Sequence, residues 1–463
     1  MTELFYIETM GCQMNKLDSE LVAAQLEEMG CHQTTDSAAA EIIIFNTCSV
    51  RQHAEEKVIS KIGQLKRRHR QQPNMILAVI GCLAQRLGQE LLRCHGEVDI
   101  VCGPGRLHQL AAMIEEALAH RRQLIALNDR SENNLLEEFD CSRPPPKGNN
   151  PFQAYVRVMR GCNKFCSYCV VPYVRGPEEC RPLDNILAES RRLVEAGVKE
   201  ITLLGQTVNS YEFSQNGKML GLADVLEAVH QIHGLERLRF ITSYPRDFDE
   251  RILHAMAGLP RVCEYLHLPA QSGSNRILRA MNRRYTVEQY LELIERARQI
   301  VPDITFAGDF IVGYCGEEQE DFEATAQLMQ KVRYKNCFIF KYSPRPGTAA
   351  DKKLADNVPD EVKRQRNTQL LLLQNQISEQ LNQRYIGQEV KILVEGPSKK
   401  PHLDHPRQNG ADRIQLIGRT PGDHIVVFEG GRDLIGQIIS LKVTRASALT
   451  LFAEGEAVAM GKN

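Results

Sequence analysis

The sequence predicts an α/β protein in three parts: an N-terminal parallel α/β domain, a central partial (β/α)6 barrel and a small C-terminal β-barrel. Three observations carry this. Apolar runs alternate with helical patterns through the first third and again across 152–342. The stretch 131–150, with Arg143-Pro144-Pro145-Pro146-Lys147-Gly148 inside it, has no periodicity, breaks helices and reads as a linker. Beyond Glu389 the pattern changes to short strands separated by glycine turns.

In the first third, Phe5 to Met10 reads as a strand ending at Gly11-Cys12, with Gln13-Met14-Asn15 next and a helix over 19–29. Ile42-Ile43-Ile44-Phe45 is a buried strand ending at Asn46-Thr47-Cys48-Ser49-Val50-Arg51. A helix carrying Lys57, Ile59 and Ile62 follows, and Ile76-Leu77-Ala78-Val79-Ile80 is a third strand ending at Gly81-Cys82. Cys12, Cys48 and Cys82 therefore each stand just after a strand, at the carboxyl edge of one sheet, where open α/β sheets build their sites. Three thiols meeting there can hold an iron–sulfur cluster, whereas any one alone reads as a small buried residue. The basic run Lys61 to Arg70 reads as a solvated helix end.

In the centre, a first strand at 154–159 is followed by helices at 183–196, 222–232, 250–257, 286–299 and 321–331. These alternate with strands at 200–204, 237–241, 265–268, 304–312 and 336–342. Such a barrel carries its site at the carboxyl ends of its strands. Polar residues cluster there: Gln206 and Asn209, Thr242 and Ser243, Gln271 and Ser272, Asp309, Tyr342 and Ser343. Just after the first strand comes Cys162-Asn163-Lys164-Phe165-Cys166-Ser167-Tyr168-Cys169. Three thiols so close cannot all pair as disulfides, but they can hold three irons of a cubane cluster and leave the fourth without a protein ligand. An open iron is what the amino and carboxylate groups of S-adenosylmethionine (SAM) chelate for reductive cleavage. A zinc ribbon needs a second pair at matching spacing, which Cys180 alone does not supply; three ordinary buried thiols are the plain alternative. Cys31, Cys94, Cys102, Cys141, Cys180, Cys263, Cys315 and Cys337 show no pattern and read as inert.

The C-x-x-x-C-x-x-C run, with Tyr168 before its last Cys, resembles the radical-SAM signature. Gly11-Cys12-Gln13-Met14-Asn15, the Asn46–Arg51 segment and Gly81-Cys82 resemble the three cluster segments of the radical-SAM methylthiotransferase family, and the resemblance spans nearly the whole chain. It implies two 4Fe–4S clusters, an auxiliary one on Cys12, Cys48 and Cys82 and a radical-SAM one on Cys162, Cys166 and Cys169. SAM serves as both methyl donor and radical source. Gln206, Asn209, Ser243, Gln271 and Asp309 are then SAM- or substrate-pocket residues. Arg283, Arg284 and Arg345 are candidate phosphate contacts. Cys315 stands where the family usually has Pro, and Ala270 where it more often has Val. Gly418-Arg419-Thr420 and its surroundings resemble a TRAM domain, an RNA-binding module. Asn46 to Arg51 and Tyr173-Val174-Arg175-Gly176 resemble the branch that acts on isopentenyladenosine at position 37 of tRNA. Sister branches act on threonylcarbamoyladenosine in tRNA or on a ribosomal-protein aspartate; a non-catalytic RNA-binding Fe–S protein is the remote reading.

The expected divisions are 1–130 for the N-terminal methylthiotransferase domain, 131–150 for the linker, 151–378 for the radical-SAM domain, 379–447 for the TRAM domain and 448–463 for a frayed tail. Expected strands in the TRAM part are 389–395, 414–416, 424–428, 434–439 and 441–445. Over 463 residues, 43% hydrophobic and 25% charged composition is ordinary for a globular protein. The net charge of −1 supplies no global field, so RNA binding needs local patches. The start has no basic, apolar leader and no run long enough to span a membrane. Fourteen Cys without a leader point to reducing cytoplasm and metal chemistry. The expected partners are the tRNA anticodon loop, an electron donor such as flavodoxin or ferredoxin, and a sulfur or Fe–S carrier. The chain is expected to act as a monomer with no membrane.

Overall fold

The computed structural model describes residues 3–49, 52–128, 133–146, 150–398 and 413–459. Val50 and Arg51 of the N-terminal motif, Ser131 at the linker start, and Lys147 and Gly148 within the linker lie outside them.

The N-terminal part is a six-stranded parallel sheet in the order His32–Gln33, Leu4–Met10, Ile42–Thr47, Ile76–Gly81, Ile100–Cys102, Leu124–Ala126. Every residue of Ile42–Thr47 and Ile76–Gly81 is buried, as a parallel strand covered on both faces requires. The two-residue period divides them between two cores. Ile42, Ile44, Ile76, Ala78 and Ile80 pack with Leu17 and Leu21 of the helix Gln13–Glu28. Ile43, Phe45, Leu77 and Val79 pack with Val58 and Ile62 of the helix Gln52–Gln71. The first helix starts earlier than its apolar pattern indicates, because the Asn15 side chain caps the Cys12 amide at 3.3 Å.

The six central strands are Gln153–Arg157, Glu200–Leu204, Arg237–Ile241, Tyr265–His267, Thr305–Val312 and Asn336–Lys341. They form two parallel triplets joined by a bridge between Leu238 and Val262. Among the described residues the first and sixth strands do not pair, so the barrel is open on that side. The helix Asp360–Gln383 lies against the sixth strand and adds Leu370 and Ile377 to the core beneath the barrel helices.

The stretch 131–150 is not a bare linker. It contains the helix Asn133–Ser142, whose Asp140 is buried and pairs with Arg157 at 3.2 Å and with Arg160. Arg143, also buried, donates to the Tyr155 carbonyl at 2.6 Å. Few apolar residues lie here because the segment is held by ion pairs, which leave no hydrophobic period.

The C-terminal part is a closed five-stranded barrel in the order Glu389–Pro397, Arg413–Arg419, Ile425–Gly431, Thr450–Ala459, Ile438–Ala446. Two expectations change. The stretches 434–439 and 441–445 are not separate strands: Leu434 ends a short turn, Gly436 reverses the chain at φ +79°, and Ile438–Ala446 runs on unbroken. Thr450–Ala459, expected in the tail, is the closing strand, and its Leu451 and Ala453 fill the barrel core.

This small barrel plugs the amino-terminal mouth of the large one. Arg237 donates to the Arg419 carbonyl at 2.6 Å, Arg239 to those of Thr420 and Pro421 at 2.8 Å, and the Thr305 hydroxyl to that of Gly422 at 2.9 Å. Asp423 meets Lys335 at 3.0 Å and Arg419 at 2.9 Å. The carboxyl ends of the strands lie at the opposite mouth. Cutting the chain at 379 therefore also removes the partners of buried Arg237 and Arg239, so such a truncation does not isolate RNA binding.

Lys335, Arg419 and Arg239 outweigh burial and hold the Asp423 carboxyl down at about 2. A depressed carboxylate pKa stabilises the fold above the unfolded value and loses that contribution as pH falls through the folded one. Asp423→Asn is expected to lower stability at pH 7 by about 2 kcal/mol and to flatten the acid limb between about pH 4 and pH 2. Urea denaturation of both proteins across that range checks it.

Candidate active site

Strand-end geometry brings the sequence-nominated cysteines into two triads. Cys48 follows Ile42–Thr47 directly, with its amide bonded to the Met10 carbonyl at 3.0 Å. Cys82 opens the helix Cys82–Leu87. It follows Gly81 at φ +90°, where a β-carbon would stand 2.8 Å from the Thr47 carbonyl oxygen, so only glycine lets these two strand ends approach. Asn15 and Asn46 lock the floor of the triad. The Asn15 amide donates to Asn46 Oδ1 at 2.8 Å, Asn46 donates to the Asn15 carbonyl at 2.9 Å, and the Cys12 thiol donates to Asn15 Oδ1 at 3.3 Å. Both asparagines stood in the sequence motif with no role attached.

The second triad lies on the loop after the first barrel strand. Gly161 (φ +68°) precedes Cys162, and a β-carbon there would lie 1.7 Å from the Pro177 carbonyl oxygen. That crossing is sealed by the Cys162 amide, which donates to the Gly176 carbonyl at 3.1 Å. Phe165 adopts φ +47°, turning the chain so that Cys166 and Cys169 follow on its inner side. Cys162 and Cys166 are buried and Cys169 half-buried.

None of the six thiols is in a disulfide. A hydrogen bond with Cys48 is the main cause lowering Cys12 to about 5, with Arg175 assisting. Burial pushes Cys82 up, opposed by Arg175. Burial raises Cys162 to about 11, and raises Cys169 further with the Cys166 charge adding to it. Among the described residues no three Cys, His, Asp or Glu side chains close around a single metal ion. The donor set, three soft thiols in each triad, fits iron–sulfur ligation.

Each triad has a guanidinium that sequence reading did not assign to it. Arg283, nominated as a phosphate contact, is buried. It donates to Cys166 Sγ at 3.4 Å and to the Pro269 carbonyl at 2.9 Å, with Tyr244 stacked against it at 4.6 Å. Arg345 is likewise buried, 3.8 Å from Glu55 of the N-terminal part. Arg284 alone of the three is exposed. Arg175 donates to Cys82 Sγ at 3.3 Å and to Asp18 Oδ2 at 2.8 Å. No spacing rule marks either contact, because each joins elements far apart in sequence.

The segment that follows the barrel triad packs on the N-terminal one. Arg175 ends the single turn Val171–Val174 that follows Cys169, and Val170 and Val174 pack directly on Cys82. Of the basic run Lys61 to Arg70, Lys61 pairs with Glu8, Arg68 holds the Ser37 and Ala40 carbonyls, and His69 meets Asp99 at 2.9 Å.

The nominated pocket residues divide. Gln206 Oε1 and Ser243 Oγ are buried with no hydrogen-bond partner among the described residues. Gln271 is buried at φ +71°, its amide bonded to the Asp309 carbonyl at 2.8 Å. Asp309 lies 3.4 Å from His267 Nε2, and His267 Nδ1 meets Thr242 Oγ1 at 2.6 Å. His267 was missed; its place as last residue of the fourth strand was the available signal. Asn209 instead clasps two loops, with its amide group bonded to Tyr244 and Asp247 at 2.6–2.9 Å. Ser272 faces Thr325 at 3.4 Å. Tyr342 packs against Tyr314 with rings 5.0 Å apart, in the cluster that holds Cys315.

Comparison with known proteins gives three consecutive family matches: Uncharacterized protein family UPF0004 over residues 4–103, the Radical SAM superfamily over 156–329 and the TRAM domain over 383–455. The chain is 43% identical to the tRNA-2-methylthio-N(6)-dimethylallyladenosine synthase of Rhodopirellula baltica, covering 99% of this chain and 96% of that protein. It is 42% identical to the protein of the same name from Carboxydothermus hydrogenoformans, covering 96% and 98%. Among solved structures it resembles the radical S-adenosylmethionine methyltransferase TsrM from Kitasatospora setae, with cobalamin and a [4Fe-4S] cluster bound. That match has a TM-score of 0.52 and 14% identity, covers 76% of this chain and 74% of that one, and is a likeness of fold. No described helix is long and apolar enough to cross a membrane.

Asp18 is the shared partner of Arg175 and Arg157. Asp18→Ala leaves both guanidinium groups buried without it and is expected to cost about 3 kcal/mol. Hydrogen exchange should rise first in Gln13–Glu28 and Val171–Val174, where the two parts meet; unchanged exchange there would contradict this.

Proposed function

Because the chain belongs to the tRNA-2-methylthio-N(6)-dimethylallyladenosine synthase family, we propose that it is the transferase that places a methylthio group on carbon 2 of an isopentenylated (dimethylallylated) adenosine at position 37, beside the tRNA anticodon. The observation that carries this reading is the packing of Val170, Val174 and Arg175, which follow the barrel cysteines, directly on Cys82 of the N-terminal set. A C–H bond on an adenine ring is neither acidic nor electrophilic, so side chains cannot activate it and cofactors must. The radical-SAM domain implies one 4Fe–4S cluster and SAM. Cys162, Cys166 and Cys169 would hold that cluster, and Cys12, Cys48 and Cys82 a second. When bound, these groups supply one-electron cleavage of SAM at the barrel triad and a sulfur that accepts SAM's methyl group at the N-terminal triad.

The chain's own residues hold, orient and shield. Arg283 donates to Cys166, and Arg175 places a fixed positive donor against Cys82 that opposes the rise burial imposes on it. Gln206, Ser243, His267 and Asp309 offer polar atoms at the carboxyl mouth of the barrel, where SAM and the target base bind. An adenine in a loop can be unstacked into such a mouth at modest cost. The TRAM module contributes tRNA affinity by phosphate contacts, which weaken with salt. The electron donor is of flavodoxin or ferredoxin kind and sulfur arrives from an external carrier; the chain works as a cytoplasmic monomer.

The test separates the triads. Cys48→Ala is expected to go on cleaving SAM to deoxyadenosine under reducing conditions while inserting no methylthio group. Cys166→Ala is expected to make no deoxyadenosine yet still release methanethiol on acid quench. Chromatography of both small products and of digested tRNA reads the outcome. Methylthiolated tRNA from Cys48→Ala, or loss of methanethiol in Cys166→Ala, contradicts the division.

A further inference from the structure

Along the fifth and sixth barrel strands the side chains alternate between helices and interior. Phe306, Phe310 and Val312 lie in the helix-side core, and Cys337 and Ile339 pack against it. Asp309, Ile311, Phe338 and Phe340 therefore face inward, in the pairs Asp309–Phe338 and Ile311–Phe340. Elsewhere the inner face is covered. Tyr155, Leu204 and Ile241 pack against the N-terminal core, and Arg237, Arg239 and Thr305 hold the plug of the small barrel. The fifth and sixth strands differ: Phe338 remains 47% exposed, its ring stacked on Phe340 at 6.5 Å and 14°.

The exposed Phe338 ring, stacked on Phe340 on the inner wall of a barrel at its unpaired edge, is a surface suited to an apolar ligand group. The wall reaches the barrel triad: Ile311, beside Phe340, packs in the same cluster as Tyr168, the residue before Cys169. Its other end is polar, where Asp309 meets His267.

We infer that Phe338 and Phe340 form the subsite for the dimethylallyl chain of the substrate adenosine, an inference that rests on the proposed function. The five-carbon branched chain has nothing to hydrogen-bond and matches the two rings. A threonylcarbamoyl chain would bring a carboxylate and a hydroxyl against the same rings and beside the Asp309 carboxylate, where they would lose water and meet like charge. The wall thus favours one modified adenosine and opposes the other.

The test uses reconstituted holoenzyme as wild type, Phe338→Ala and Phe338→Leu, with prenylated and unprenylated tRNA of one sequence. Wild type is expected to bind prenylated tRNA more tightly. Phe338→Ala should cut that preference about tenfold, the scale of losing an apolar contact, while Phe338→Leu keeps most of it. Iron content and SAM affinity without tRNA should stay at wild-type values in both variants. An undiminished preference in Phe338→Ala overturns the inference. So does a fall in SAM affinity without tRNA, which would assign the wall to SAM. Iron loss in Phe338→Leu overturns it too, by making Phe338 a structural residue. A wild type that neither prefers nor methylthiolates prenylated tRNA defeats the proposed function instead.

Discussion

One buried carboxylate joins the two halves of the site. Asp18 sits on the first helix of the N-terminal sheet, almost fully withdrawn from water, and holds Arg157 from the barrel's first strand and Arg175 from the turn after Cys169. Charges withdrawn from water are tolerated only when their partners are in place, so this set is satisfied only in the docked arrangement. Docking in turn sets Arg175 against Cys82 and seats Val170 and Val174 on the same thiol. The neighbouring pairs of Arg157 with Asp140, and of Arg181 with Glu189 at 2.7 Å and Glu137 at 2.8 Å, extend the polar seam.

The same logic closes the other end. Arg237, Arg239 and Glu200 stand on the inner face near the starts of their strands, where an open barrel mouth would leave them solvated; the loop 419–424 offers carbonyl oxygens to the two arginines, and Glu200 pairs with Arg239 at 3.1 Å. With the amino mouth plugged and the first strand covered by the N-terminal unit, Phe338 of the sixth strand stays exposed on the inner face.

The cysteines were legible in the sequence because their chemistry is local or positional: one triad is spaced within a single loop, and the other repeats strand-then-Cys three times. The barrel strands were legible too, since Glu200–Leu204 is a mostly apolar run and Arg237–Ile241 alternates arginine with apolar residues, each bounded by helical periods. What stayed hidden depends on long-range charge pairing. The 131–150 stretch has no apolar period because Asp140 and Arg143 anchor it by ion pairs and hydrogen bonds. Arg283 was nominated as a phosphate contact, yet it turns inward because Cys166, Pro269 and two tyrosines receive it. Thr450–Ala459 looked like a tail because Glu454-Gly455-Glu456 interrupts its apolar pattern; pairing with strands on either side makes it a strand.

The central claim is that the two sets of cysteines hold two clusters brought close together by the packing of Val170 and Val174 on Cys82. The direct measurement is electron paramagnetic resonance of the reduced, reconstituted protein, compared with two variants, each lacking one whole triad. The expected result is a wild-type spectrum broadened by magnetic coupling, so that it is not the sum of the spectra of the two variants. A wild-type spectrum equal to that sum would contradict two neighbouring clusters.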